Sequence, residues 1–126
     1  MISRGSIPIL RIGSTLLATI QVELRDTVAD VFQEDILTAI GKSGVASLLI
    51  DISGLEMVDS YVARVLVNTG QMAKLMGADT VLVGMRPEVA ATLVRMGFRM
   101  TGVHTALNVD EGLALIAQLF QRRGRG

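Results

Sequence analysis

Residues 45–52 form an apolar run with Leu48, Leu49, Ile50 and Ile52 at its centre. Apolar side chains occupy neighbouring positions, not every second one. A strand of this kind has both faces covered, the mark of a parallel sheet. Parallel strands cannot be joined by a tight turn and need a crossover, usually a helix. The run therefore predicts an α/β chain. It breaks at Ser53-Gly54 and reaches Asp59-Ser60 just before a helical pattern. A hydroxyl is thus expected beside a helix N-terminus, at the carboxyl end of a strand. In open α/β sheets that edge is where ligands and partners bind.

The rest of the chain supplies the layers that such a strand needs. Residues 7–11 read as a short strand, and Pro8, with no N–H, places it on an edge. Gly13-Ser14 signals a turn into a second, β-branched strand over 15–20. Asp26 is a candidate cap for a helix with an apolar stripe of Val28, Val31, Phe32, Ile36, Leu37 and Ile40. Glycines at 41 and 44 stop it. Beyond Ser60, Val62, Val65, Leu66, Thr69, Met72, Ala73 and Met76 make a second stripe, ended by Gly77. A strand over 80–83 and a Gly84-Met85-Arg86-Pro87 turn lead to a third helix, with Val89, Leu93, Val94 and Met96 expected inward. A short strand over 101–106 precedes a last helix, capped by Asn108 or Asp110, through Leu113, Leu115, Ile116, Leu119 and Phe120. The order β-β-α-β-α-β-α-β-α predicts one domain over residues 1–121. Its mixed, mostly parallel sheet has about five strands, with about four helices. The basic tail 122–126 is expected to be disordered.

Composition removes several function classes. Twelve Lys and Arg balance twelve Asp and Glu, and 3% of residues are aromatic. A nucleic-acid binder usually shows a basic excess and stacking platforms. Neutrality also lowers self-repulsion, which favours a homo-oligomer or a larger hetero-oligomer. Absence of Cys rules out thiol chemistry and disulfides. No apolar run approaches the ~20 residues of a membrane span, and no signal peptide is evident. A cytoplasmic location is the expectation.

Among motifs, Gly41-Lys42-Ser43 imitates a P-loop, but position 36 is Ile and the segment follows a helix. His104, the single His, lacks a partner motif for acid–base work. Asp51, Glu56 and Asp59 surround the central loop, and an acidic surface fits them better than a metal cluster. No cofactor is expected. Met57 lies in that loop, and core and interface are equally open to it. Ser60 has an ordinary role available as a helix cap. Asp59 can cap unaided, which leaves Ser60 free. A serine nucleophile would need a paired base and a Gly-x-Ser-x-Gly elbow, and neither is present.

The segments Leu49-Ile50-Asp51-Ile52-Ser53-Gly54-Leu55, Met57-Val58-Asp59-Ser60-Tyr61-Val62-Ala63, Met72-Ala73-Lys74-Leu75-Met76-Gly77-Ala78 and Gly84-Met85-Arg86-Pro87-Glu88 resemble the STAS domain of anti-sigma-factor antagonists. They are most similar to the small RsbS type found in the bacterial stressosome. The resemblance implies a non-enzymatic phosphoprotein, modified on Ser60 by an RsbT-like serine/threonine kinase that it holds until then. Glu56, Met57, Asp59 and Ser60 would form the partner-binding face. Thr92 matches a second, weaker phosphorylation position of the larger RsbR-type relatives. Co-assembly with RsbR-like paralogues and resetting by an RsbX-like phosphatase are implied too. The alternative is a free anti-anti-sigma factor of the SpoIIAA type.

Overall fold

The computed structural model describes residues 7–21 and 24–125, with side chains to residue 122. Strands β1 (Ile9–Ile12) and β2 (Thr15–Thr19) form an antiparallel hairpin. Helix α1 (Asp26–Ser43), strand β3 (Ser47–Asp51), helix α2 (Ser60–Leu75), strand β4 (Asp79–Val83), helix α3 (Pro87–Arg95), strand β5 (Val103–Ala106) and helix α4 (Val109–Arg125) follow. The sheet order is β1-β2-β3-β4-β5, with β2 to β5 parallel. This is the mixed, mostly parallel sheet and element order that the sequence predicts.

Each crossover steps to the next strand in the same direction. Right-handed crossovers then place α1, α2 and α3 on one face of the sheet. Leu48 and Ile50 point into that larger core, with Phe32, Ile36, Val62, Leu66 and Val89. Leu49, between them, points the other way with Val81, Val83 and Ile116 of α4. The unalternating run of β3 is thus explained by cover on both sides. Contact with α4 is close because Gly112 faces the sheet. A Cβ there would lie 2.7 Å from both Leu49 Cδ1 and Val83 Cγ1.

Gly44 adopts φ +63° and its amide donates to Ile40 O, so the P-loop imitation is the end of α1. Several local expectations are corrected. Asp26 is the first residue inside α1, not its cap; Arg25 occupies the cap position and its side chain makes no capping bond, having no acceptor to offer. Val94 is 77% exposed and Met96 is also exposed. Helix α3 is short and buries only Val89 and Leu93, one turn apart. Val31, Met72 and Met76 lie on the open flank of their helices. The backbone of α4 runs to Arg125.

Candidate phosphoacceptor and docking site

The segment between β3 and α2 is held down at several points. Asp51 Oδ1 accepts the Ser53 amide at 2.9 Å, and the Leu55 amide donates to Ile52 O at 2.9 Å. Arg86, from the start of α3, donates through Nε to Ser53 O at 2.9 Å. Leu55 and Val58 are buried in the main core. Anchoring both of them forces the two residues between outward. Glu56 is exposed, and Met57 is 79% exposed. That settles Met57 as surface, where a flexible thioether side chain suits an adaptable contact.

Asp59 is extended (φ −87°, ψ 174°) and its Oδ1 accepts the Val62 amide at 2.8 Å. Such a cap is worth ~1 kcal/mol. Ser60 is the first helical residue and is exposed. Among the described residues its hydroxyl has no hydrogen-bond partner. Asp59 therefore caps α2 alone and leaves the Ser60 oxygen open to solvent.

Helices α1 and α2 both start at the carboxyl edge of the parallel strands, so their first turns are neighbours. Tyr61 donates its hydroxyl to Asp30 Oδ1 at 2.5 Å. Further along, Gln33 donates to Thr69 Oγ1 at 3.1 Å and ties the helices together. This packing brings Asp26 against Asp59. Partial loss of hydration, then the Asp59 charge and hydrogen bond, then Asp30, hold the Asp26 carboxyl above its ordinary value of 3.8. The Tyr61 hydroxyl is raised above 10.0, first by its bond to Asp30. The free serine thus stands in an acidic neighbourhood built from two helix starts and one loop.

A raised carboxyl means that the native state binds a proton more tightly than the unfolded chain. Its stability contribution is fully present in acid, below the ordinary carboxylate value, and is lost as pH rises through the raised one. Asp26→Asn is therefore expected to raise Tm slightly at pH 7, with the gain vanishing below the ordinary carboxylate range. Thermal melts across pH check this. A gain that persists unchanged in acid contradicts the electrostatic origin.

The other candidates are not brought to this site. Thr92 is half-buried on α3 and donates its hydroxyl to Glu88 O at 2.9 Å. His104 lies on β5, opposite Val81. Among the described residues no group of three His, Cys, Asp or Glu side chains is placed to hold a metal. Among them, too, no helix is long and apolar enough to cross a membrane. Asp26, Asp30 and Tyr61 escaped the sequence reading as site neighbours. The usable signal was topological: successive crossovers between parallel strands must begin at one edge.

Residues 5–112 match the STAS domain. RsbRA of Bacillus subtilis, an RsbT co-antagonist protein, is 31% identical over 108 residues, 86% of this chain. The chain spans 38% of RsbRA and 41% of its relative RsbRD, so those proteins are more than twice its matched length. A serine-to-glutamate variant of Moorella thermoacetica RsbS superposes with TM-score 0.82 at 38% identity, over 94% of this chain and 99% of that one. A chain from a structure of the stressosome, described as a signal integration and transduction hub, gives TM-score 0.75 at 38% identity, over 89% of this chain and 97% of that one. The hairpin-led sheet and these likenesses agree: the chain belongs to the STAS domain family.

Proposed function

We propose that this chain is an RsbS-like scaffold and antagonist of the stressosome. It holds an RsbT-like switch kinase and lets it go when Ser60 is phosphorylated, which controls a general stress response. The single observation that carries this reading is the division of labour at α2. One residue caps the helix, and the next offers an unpartnered hydroxyl on a rigid surface. In the transfer, Ser60 Oγ bonds to the γ-phosphorus of ATP. The bond to the bridging oxygen breaks, ADP leaves, and a base on the kinase takes the hydroxyl proton.

Glu56, Met57, Asp59 and Ser60 form the face that meets the kinase. Assembly with RsbR-like paralogues is supported by the likeness to RsbRA and to the stressosome chain. An RsbX-like phosphatase would reset the state, in the cytoplasm. Thr92 is a lesser acceptor, since its hydroxyl already serves the Glu88 carbonyl. The domain itself performs no catalysis in this scheme.

Incubation with the cognate kinase and ATP, followed by phosphate mapping by mass spectrometry, tests the assignment. One phosphate on Ser60, absent from Ser60→Ala, is expected. Phosphate found only elsewhere, or none at all, overturns it. Size-exclusion with an RsbR-like paralogue is expected to give a large common complex; a free small species would favour the SpoIIAA-type alternative.

A further inference from the structure

Ser60, Arg64, Val67 and Gln71 follow one another at spacings of four, three and four along α2, so they line one side of the helix. That side faces the segment between α3 and β5. Gln71 donates to Thr101 O at 3.4 Å, and the Arg64 guanidinium sits over the Phe98 ring, 5.6 Å from its centre. Arg64 is exposed, and among the described residues it has no carboxylate partner. A cation resting on an aromatic face holds it weakly and keeps all its N–H donors available.

We infer that Arg64 is the internal receptor for a phosphate on Ser60: it leaves the Phe98 ring and pairs with the phosphoryl oxygens one helical turn away. The inference rests on the proposed modification of Ser60. Arginine matches phosphate geometry with two parallel N–H donors, and such charge-assisted bonds outweigh an exposed cation–π contact. Other charged groups near this helix start are Glu56 and Asp59 in the loop, Arg25 at the cap position of α1, Asp26 and Asp30 within α1, and Arg86, whose Nε is already engaged with Ser53 O. Arg95 and Arg99 flank Phe98. Of these, Arg64 alone shares the helical side of Ser60 at the favourable spacing. Phosphorylation would then have a second output. It adds charge at the docking face, and it uncovers Phe98 on the segment that follows α3.

The test installs phosphoserine at position 60 during translation of the full chain, so that no kinase is needed. The second ionisation of the phosphate is followed by phosphorus NMR, and the Phe98 ring by proton NMR; with three Phe in the chain, its assignment is direct. Against Arg64→Gln, the phosphate of the unsubstituted chain is expected to ionise about half a unit lower, with Arg64→Lys between them. Phe98 signals are expected to move on phosphorylation only when Arg64 is present. Equal ionisation and an equal Phe98 response in Arg64→Gln overturn the inference. A kinase that never modifies Ser60 instead removes the proposed function and leaves this measurement standing.

Discussion

Phosphate on Ser60 is expected to weaken kinase binding by about 100-fold while leaving the domain folded. The modification adds about −1.5 to −2 charges. The first turn of α2 tolerates them, because unpaired amide groups at a helix start favour an anion by ~0.3–1 kcal/mol. Glu56, Asp59 and Asp26 already make the surface negative, and the added charge must either be stripped of water for docking or face an acidic patch of the kinase. Like-charge juxtaposition in an interface costs several kcal/mol, and about 3 kcal/mol is two orders of magnitude in Kd. Calorimetric titration of the kinase into unmodified, phosphorylated and Ser60→Ala protein measures this. Ser60→Ala should hold the kinase in the presence of ATP. Ser60→Asp should release it only partly, since it carries one charge and no tetrahedral oxygens. Indistinguishable affinity for modified and unmodified protein removes the charge mechanism.

Gly54→Val should destabilise the fold by about 3 kcal/mol, lowering Tm by roughly 10 °C. A Cβ at position 54 would meet Ile20 O at 2.5 Å, Gln21 Cα at 2.6 Å and Gln21 C at 2.9 Å. These are backbone atoms just past the end of β2, the strand beside β3 in the sheet. They cannot swing aside as a flexible side chain can. Relief requires moving either the end of β2 or the loop that leads to Ser60, so kinase capture should fall along with stability. Gly41→Ala is the contrast. Position 41 lies within α1, and the nearest atom a Cβ there would meet is Met76 Cε at an ordinary 3.7 Å. Glycine inside a helix costs about 0.5–1 kcal/mol relative to alanine, so this change should stabilise by a similar amount. Urea melts of the two variants compare them directly. Equal stability of Gly54→Val and the unsubstituted chain would contradict the close approach.

Much of the site was legible because it is local. Helix capping depends on a few consecutive residues, so the order Asp59-Ser60 narrowed the cap to one of two neighbours, and the structure assigned it to Asp59. Strand β3 was legible because an apolar run without alternation has only one comfortable environment. Failures came where packing partners decide the outcome. Val94 and Met96 lie near the inward stripe of α3, yet a helix of nine residues at this position covers only enough sheet to bury Val89 and Leu93. Asp26 has the chemistry of a cap, but the chain enters α1 one residue earlier, at Arg25.

By itself the sequence determined the order of elements, the two-sided burial of β3 and the Asp59-Ser60 pair at the start of α2, since periodicity and capping preference are properties of neighbouring residues. Only the tertiary structure decided that Asp59 caps, that the Ser60 hydroxyl is left free, and what surrounds it. Asp26 and Asp30 on α1, Tyr61 reaching across to them, and Phe98 beneath Arg64 are distant along the chain. Their meeting depends on how parallel crossovers lay helices side by side, and electrostatic coupling follows distance in space.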